Sequence, residues 1–598
     1  ALRMVYRFEN GEWIQEDRET DAVSYTISEY TFGGGDEKVW LHKQAEIIQK
    51  AMDLEKGILI SVGLLHLPDT LYIFIAVHHL VMDGVSFRIL LRDFGELYQG
   101  YLLGKQTELI PKTVSYKKYS EAVAAASVKS PDALAKWEQT DVSGLEYISE
   151  KEHSCLLSER KSLIFSLDDN EKAGIDSYVN AQRGTNFSDL VLTASAVAVG
   201  SVKNMKKFAV DVEHNGRGFN NSSYDVSNTI GWFTSVYPLI YENKDNIETS
   251  AANVTEIQQI SRSVSTEYMQ KKVSSDTRNG IYGISSEICF NYLGDFDAAE
   301  SSDSPFEIVE EMLGHNRSEK QLTGYVIDIN TLSIHNKLYF MLDYNAALIS
   351  DDEAESIFKS FRENIAEYSR LANDKQYEPF GLSSLQMSYF IGKQDFYELG
   401  GFTTHSYLEF LTKIDIPRFN KALQKIIDQQ DMLRTVLRPD GTQNVLRDVP
   451  DYTIKILDIR DLPKEKQEEM IMQKREELSH SFFDIYKFPL FDISGFQIND
   501  EEKYLFISYD MIMMDSASVN LMVQDLAKYY LHPDLEAKPL KYHYRDYIHD
   551  LEEMRMQPIY NKAKEYWLSK LEDFPEAPQI PMITEPEKVE KGHFDRKR

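Results

Sequence analysis

Hydrophobic and polar residues alternate along the 598-residue chain with two periods, and together they predict a mixed α/β architecture. Apolar positions that recur every three to four residues are typical of amphipathic helices. This period predicts helices over 43–54, 188–200, 250–272, 352–372, 416–430 and 519–531. Short runs rich in β-branched and aromatic residues are typical of strands. They predict strands over 57–64, 71–77, 162–166, 207–213, 337–343 and 503–509, with connections over 103–115, 143–160, 373–380 and 575–598.

One predicted strand leads directly into a group of polar residues. The strand over 71–77 is followed by His78-His79-Leu80-Val81-Met82-Asp83-Gly84, and the segment 85–94 has a helical pattern. A turn between strand and helix can present a neutral imidazole at a cavity, where it can transfer protons near neutral pH. A single histidine here would be read as a packed core residue. A histidine pair with an aspartate and a glycine at fixed offsets favours a functional site.

This strand-to-helix segment occurs twice in the chain. Residues 72–83 align with residues 504–515 at an offset of 515 − 83 = 432. Identical pairs at this offset are Tyr72/Tyr504, Phe74/Phe506, Ile75/Ile507, Met82/Met514, Ser86/Ser518, Asp93/Asp525 and Tyr98/Tyr530. Leu2-Arg3 also matches Leu433-Arg434, so we expect two related domains. The second copy has residues 380–432 before this match, so we expect the first copy to lack its opening segment. We expect the second copy to be only a first half.

Composition narrows the class of partner and the compartment. The net charge of 65 − 96 = −31 argues against nucleic acid or an anionic membrane as a partner. Cys155 and Cys289 provide neither a disulfide framework nor metal-ligand spacing, so we expect a reducing cytoplasm and no metal site. No apolar run approaches the roughly 20 residues that span a bilayer. Gly33-Gly34-Gly35 lacks the Lys-Ser/Thr of a phosphate-binding loop.

Five segments of the first copy resemble motifs of the epimerization domains of nonribosomal peptide synthetases, a branch of the condensation superfamily. They are His78–Phe87 (HHxxxDG), Glu213-His214-Asn215-Gly216-Arg217 (EGHGR), Gly231–Leu239 (GWFTxxYP), Asn279–Gly283 (GxGYG) and Phe290–Gly294 (FNYLG). Two departures concern fine positioning. Phe87 stands where an epimerization domain usually has Trp, and Asn215 interrupts the Gly-His-Gly order.

The second copy resembles a heterocyclization domain of the same superfamily. Its residues Asp510, Asp515 and Ser518 fit the DxxxxDxxS signature. Further similarities are Phe380–Lys393, with Lys393 in place of Arg, Asp431–Arg434, Asp440–Gln443 and Leu571–Pro581. At the repeat offset Asp510 replaces His78 and Met511 replaces His79, so the candidate base is absent. We expect both aspartates to be structural; a degenerate condensation remnant is the alternative.

The resemblance implies a chloramphenicol-acetyltransferase-like α/β fold whose two lobes form a V around the active site. It implies one nearly complete copy plus one N-terminal lobe. The expected parts are an epimerization N-lobe (1–145) and C-lobe (146–372), a linker (373–380), a heterocyclization N-lobe (381–575) and a linker tail (576–598). Phe396–Thr403 imitates a carrier-protein attachment site, but Thr403 stands where that site needs Ser. We therefore expect no carrier domain.

The function that the resemblance implies is L-to-D epimerization of an aminoacyl or peptidyl thioester. The substrate would be carried on the phosphopantetheine of an upstream peptidyl carrier protein domain, in antibiotic or siderophore biosynthesis. A thioester acidifies its α-proton, so this isomerase would need no cofactor of its own. A heterocyclization domain using Cys, Ser or Thr would follow. We expect adjoining synthetase domains and a monomer. The alternatives are an amide-forming condensation domain and a catalytically silent docking platform for carrier proteins.

The resemblance also assigns roles to residues. His79 and Glu213 would be the two acid/base groups, in either order, and Asn291 and Tyr292 would orient the thioester or its enolate. Alone, Glu213 would be read as a solvated strand end, and Asn291 and Tyr292 as packed strand residues. We expect His214 to have a minor role at most. The residues expected to be structural are His78, Asp83, Gly84, Trp232, Asp510, Asp515 and Ser518.

Overall fold

The computed structural model divides into two units of chain, Ala1–Ser369 and Arg370–Arg598. The residues that it describes are 1–19, 21–125, 131–149, 154–182, 184–217, 224–274, 280–296, 306–309, 314, 316–394, 405–479, 481–538, 540, 542–574 and 581. Every structural statement below concerns these residues. The predicted segment 396–403 lies outside them, as does the predicted tail 576–598 except for residue 581.

The first half of the first unit is built around a three-stranded sheet. Its elements are β1 (Met4–Glu9), β2 (Glu12–Asp17), β3 (Tyr25–Thr31), α1 (Glu37–Gln49), β4 (Ile60–His66), β5 (Leu71–Val77), α2 (Gly84–Leu102), α3 (Tyr116–Ala125) and α4 (Pro131–Glu138). Strand β3 runs parallel to β4, and β4 runs antiparallel to β5. Leu41 and Ile48 of α1 pack with Leu65 of β4 in one core cluster. This sheet delivers the end of β5 to the start of α2.

The second half of this unit carries a six-stranded sheet. Its elements are β6 (Cys155–Leu156), β7 (Arg160–Leu167), α5 (Asp169–Ala181), α6 (Phe187–Lys203), β8 (Lys207–His214), β9 (Ser235–Glu242), α7 (Ile247–Ser274), β10 (Ile288–Asp295), β11 (Leu322–Thr323), β12 (Ile327–Ile334), β13 (Lys337–Asn345) and α8 (Asp351–Gln376). The strand order is β7-β13-β12-β10-β8-β9. Because β10 is parallel to both β8 and β12, these three strands end at one edge, a usual place for sites in α/β sheets.

The second unit repeats the first half of the first unit. Its elements are α9 (Ser384–Gly392), β14 (His405–Thr412), α10 (Ile416–Gln429), β15 (Thr435–Leu437), β16 (Gln443–Val445), β17 (Lys455–Asp458), α11 (Lys464–Ser479), β18 (Phe491–Gln497), β19 (Lys503–Asp510), α12 (Ser516–Leu531), α13 (Tyr544–Met556) and α14 (Pro558–Lys570). Strands β17, β18 and β19 pair as β3, β4 and β5 do, parallel and then antiparallel. Strand β14 adds to the other edge of β19. The predicted internal repeat is therefore confirmed in the pairing of strands.

Most predicted elements are confirmed, and β5 agrees at both ends. Helix α1 is a correction, because it spans Glu37–Gln49 instead of 43–54. The carboxylate of Asp36 accepts a hydrogen bond from Val39 N and so sets an earlier start. Strand β4 likewise begins at Ile60 instead of residue 57. The predicted connection over 143–160 contains the two-residue strand β6 and a one-turn 3₁₀ helix, Leu157–Glu159.

The predicted linker over 373–380 is wrong in its first half, where α8 continues to Gln376. No glycine or proline interrupts the chain between Leu371 and Gln376, and the first proline comes at Pro379. Helix-breaking residues, not the end of an apolar pattern, set this boundary.

Candidate active site

The turn after β5 treats its two histidines differently. His78 is half-buried; its backbone N–H donates to Leu59 O at 2.9 Å, and its Nδ1 accepts from Leu80 N at 3.3 Å. Burial lowers the pKa of His78, and the neighbouring charge of His79 acts in the same direction. His79 opens a one-turn 3₁₀ helix, His79–Val81, and is exposed. The hydrogen bonds of His78 therefore stabilise the turn, whereas the imidazole of His79 is exposed to solvent.

Asp83 joins three of the sequence motifs. It caps the N-terminus of α2 by accepting from Ser86 N at 2.7 Å. Its other hydrogen bonds come from the second half of the unit, from Arg217 Nη2 at 2.9 Å and Phe233 N at 3.1 Å. The first residue of α2, Gly84, lies near Leu293, whose carbonyl oxygen is 3.7 Å from the position of an added Cβ. Asp83 thus fixes the His79 turn to the six-stranded half.

Arg217 is the counterpart of Asp83 and is itself held from several sides. Its guanidinium donates to Val226 O at 2.7 Å, Thr229 O at 2.8 Å and Ser86 Oγ at 2.8 Å. It also lies over the ring of Phe233, 4.2 Å from the centroid. A buried ion pair is favourable only when its remaining polar atoms find partners. These contacts provide partners for both terminal nitrogens of Arg217, whereas its Nε has none among the described residues.

Glu213 lies at the end of β8, opposite Asn291 of β10 in the parallel register. Asn291 Nδ2 donates to Glu213 Oε2 at 2.7 Å. Burial raises the pKa of Glu213, and the charges of Arg317 and His79 oppose that rise less strongly. A carboxyl group with a raised pKa is closer to the range in which general acids and bases work. The structure therefore brings Glu213 and Asn291 together, and the charge of His79 is near enough to lower the pKa of the Glu213 carboxyl group.

Tyr292 does not join this group. Successive side chains of a strand point to opposite faces, and the Tyr292 ring lies 5.4 Å from that of Phe187. Burial raises the pKa of Tyr292 to about 12, so the phenol stays protonated at neutral pH. Its role in orienting the thioester stays a prediction.

His214 follows Glu213 but has another environment. Its Nδ1 accepts from Gly216 N at 3.3 Å. Burial lowers the pKa of His214 to about 4, with a smaller contribution from the charge of Arg262. The imidazole is therefore neutral at pH 7 and cannot donate a second proton there.

A buried polar row lies beneath Glu213 and was missed from the sequence. Asp211, two residues earlier on the same face of β8, accepts from Ser286 Oγ at 2.6 Å and from Tyr325 OH at 2.9 Å. Asp328 of β12 pairs with Arg160 at 2.8 Å. The acidic residues at alternate positions 211 and 213 of an otherwise apolar strand are the signal that could have revealed this row. No cluster with metal-binding geometry occurs among the described residues.

Trp232, which belongs to the GWFT segment, contacts the ring of His79. The two ring centroids are 5.0 Å apart, with the planes tilted by 57°. The indole is 40% exposed. It therefore lies at the surface of the site and not in the core.

The second unit has an ion pair where the first has histidines. Asp510 is buried, pairs with Lys393 Nζ at 2.6 Å and accepts from Ile512 N at 3.0 Å. Asp515 caps α12 by accepting from Ser518 N at 2.8 Å and Ser518 Oγ at 2.7 Å. All three signature residues thus have local structural partners.

The histidine turn is joined to a six-stranded sheet through Asp83, and the strand pairing of the half that carries this turn occurs again in the second unit. The family model of the condensation domain matches residues 1–389 and again residues 380–598. The chain belongs to the condensation-domain family and carries two segments of it.

Comparison with known proteins places the relatives among large synthetases. The chain is 33% identical over 220 residues to bacitracin synthase 1 of Bacillus licheniformis, which is 37% of this chain and 4% of that protein. It is 30% identical over 370 residues to one of the plipastatin synthase proteins of Bacillus subtilis, 60% of this chain and 14% of that protein. The chain therefore matches only a small part of either relative.

Among solved structures, the epimerization domain from the third module of tyrocidine synthetase B shares the fold. The TM-score is 0.55 at 24% identity, over 62% of this chain and 86% of that one. None of the described helices is long and apolar enough to cross a membrane.

Proposed function

We propose that the first unit epimerizes the α-carbon of an aminoacyl or peptidyl thioester in nonribosomal peptide synthesis. The observation that carries this proposal is the placement of Glu213. Its carboxyl group accepts a hydrogen bond from Asn291 at 2.7 Å and has a pKa that burial raises. The charge of His79, in the other half of the unit, partly opposes that rise. Two acid/base groups on different elements are what inversion of a carbon requires.

The reaction breaks the C–H bond at the α-carbon of the substrate and forms it again on the opposite face. One group removes the α-proton, and its electron pair moves into the thioester carbonyl to form an enolate. The other group then delivers a proton to the opposite face of the α-carbon, which restores the thioester with inverted configuration. Either His79 or Glu213 starts the sequence, depending on the configuration bound. The amide of Asn291 keeps the carboxyl group of Glu213 oriented toward the reacting carbon.

An amide-forming condensation domain is the competing function. It would use His79 on an incoming amine and would leave Glu213 without a task. Burial of an acidic side chain costs free energy unless it is compensated, and Asn291 supplies a dedicated partner. This arrangement favours epimerization over condensation and over a silent docking platform.

The second unit is proposed to be the N-terminal lobe of a heterocyclization domain that accepts the epimerized donor. The ion pair of Asp510 with Lys393 and the cap formed by Asp515 support a structural role for its signature. The partners would be an upstream carrier protein, which brings the substrate on phosphopantetheine, and adjoining synthetase domains. We propose a monomer in the cytoplasm with no cofactor of its own.

The test uses the full chain and a carrier protein loaded with an L-aminoacyl or peptidyl group in deuterated buffer. Wild-type protein should incorporate deuterium at the α-carbon and shift the D/L ratio, whereas His79→Ala and Glu213→Gln should each lose most of this activity. Glu12→Gln, at an exposed position of β2, is the matched control. Amide formation with a second loaded carrier, without α-deuterium uptake, would instead establish condensation. Carrier binding without either reaction would establish the docking platform.

A further inference from the structure

We propose that Trp232 is a positioning residue for His79, whose imidazole it holds in the orientation that proton transfer needs. The inference rests on the proposed epimerase function and adds a residue to its machinery. It differs from a packing role, because the indole lies at the surface of the site, 40% exposed, with its centroid 5.0 Å from that of the imidazole.

Among the described residues, Trp232 is the contact that can orient the imidazole of His79. His79 anchors its turn through its backbone carbonyl, which accepts from Met82 N at 3.3 Å. In the described part of the chain, no hydrogen bond to the side chain of His79 is present, and Trp232 is its aromatic neighbour. An exposed imidazole without partners would sample several rotamers. Contact with a fixed ring restricts that choice.

Hydrogen bonds fix the backbone on both sides of Trp232. Gly231 N donates to Ser86 Oγ at 3.0 Å, and Ser86 Oγ is 2.9 Å from Gly231 O. Phe233 N donates to Asp83 Oδ2 at 3.1 Å, and Tyr116 OH donates to Trp232 O at 2.8 Å. A Cβ on Gly231 would collide with the ring of Tyr116, so the backbone here approaches too closely for another residue.

Two of these anchors, Asp83 and Ser86, belong to the start of α2, which closely follows the His79 turn. Asp83 and Ser86 form the first turn of α2, four and seven residues after His79. The imidazole and the indole are therefore placed by the same junction, in which Ser86 and Asp83 hydrogen-bond the residues on either side of Trp232. Aromatic rings prefer such tilted contacts, and a nearby indole also favours a cationic partner.

The experiment compares Trp232→Ala and Trp232→Phe in the full chain, with Trp13→Ala as the control. Trp13 is 63% exposed on β2 and packs against Phe8. Two kinds of measurement are made. Kinetics gives kcat and KM for epimerization of a carrier-bound L-aminoacyl group, and NMR gives the proton shifts of His79 in histidine-labelled protein. The spectrum of His79→Gln assigns that signal among the 14 histidines.

We expect Trp232→Ala to lower kcat by about ten- to a hundredfold with little change in KM, because misplacement of a reacting group by about 1 Å costs up to this much. The His79 signals should lose the ring-current shift of the indole, and Trp232→Phe should recover most of kcat. Trp13→Ala should change neither quantity.

Three outcomes would overturn the inference. His79 signals that do not move in Trp232→Ala would show that the rings are not in contact. Moved signals with unchanged kcat would show a contact that does not position the imidazole, and a rise in KM alone would make Trp232 a substrate-binding wall. If Trp232→Ala does not fold, Trp232→Leu keeps apolar volume without the ring. Absence of epimerization by the wild type would remove the proposed function itself, while the shift of the His79 signals would still report the contact.

Discussion

Asp83 and Arg217, 134 residues apart in the chain, form an ion pair of 2.9 Å whose side chains are only 3% and 9% exposed. One residue starts the helix after the histidine turn, and the other follows Glu213 by four positions. The pair therefore sets the relation between the two proposed acid/base groups without touching either of them. Because both side chains are buried, the loss of either charge should destabilise the folded protein strongly.

Replacing Asp83 should show how much this ion pair contributes to the free energy of unfolding. We expect Asp83→Ala to lower the free energy of unfolding of the first unit by about 3–5 kcal/mol, because Arg217 would stay buried without a counter-charge. The double variant Asp83→Leu with Arg217→Met should lose less, since it removes both charges. Urea unfolding followed by tryptophan fluorescence reports mainly on this unit, which contains Trp13, Trp40, Trp137 and Trp232. Equal losses in both variants would contradict the prediction.

Glu213→Gln should separate activity from stability. Burial raises the pKa of Glu213 above its ordinary 4.5, so the folded state binds this proton more tightly than the unfolded state. The wild type therefore loses stability as pH rises from about 4.5 through the raised pKa. Glutamine keeps an acceptor for Asn291 but cannot ionise. We expect the variant to be inactive and to melt at a higher temperature than wild type at pH 7–8, with the difference vanishing below pH 4.5. A variant that melts lower at pH 8 would refute this.

His214→Gln should reduce the loss of stability that the protein shows as the pH falls below 6.5. The folded pKa of His214 is about 4 against an ordinary 6.5, so the unfolded state takes up the proton first as pH falls. Its neutral burial therefore costs the wild type stability between pH 6.5 and 4, up to about 3 kcal/mol, because tenfold in proton affinity is about 1.4 kcal/mol. Melting temperatures at pH 7.5 and pH 5 should differ less in the variant. Identical pH dependence in both proteins would contradict this assignment.

The ion pair of the second unit should behave in the same way as that of the first. Lys393→Met leaves the buried carboxylate of Asp510 without its partner, and we expect a loss of about 3–5 kcal/mol in the stability of this unit. Lys393→Arg keeps the charge and should lose little. The double variant Lys393→Met with Asp510→Leu should recover much of the loss. Calorimetry of the full chain should show the change in the transition of the second unit, with that of the first unmoved.

Local patterns predicted the elements that carry the site, because periodicity reports which faces are buried. The strand over 71–77 agrees at both ends, and the 432-residue repeat predicted two related domains. The structure confirms the repeat, because β17, β18 and β19 pair with one another as β3, β4 and β5 do. Boundaries that depend on caps and breakers failed, as at α1 and at the end of α8. The Asp36 cap sets the start of α1, and the lack of a proline before Pro379 lets α8 continue, although the spacing of apolar residues predicts other boundaries.

Residue type and order along the chain were enough to predict the family and its two copies, while the roles of His79 and Glu213 stay predictions. Which of these residues meet depends on the packing of distant segments. Asn291 faces Glu213 because β10 lies beside β8 in parallel register, and Tyr292 then points to the other face. Asp211 lies beneath Glu213 because it comes two residues earlier on the same face of β8. Strand adjacency and the burial that shifts a pKa arise from contacts between segments far apart in the chain, and no local pattern encodes them.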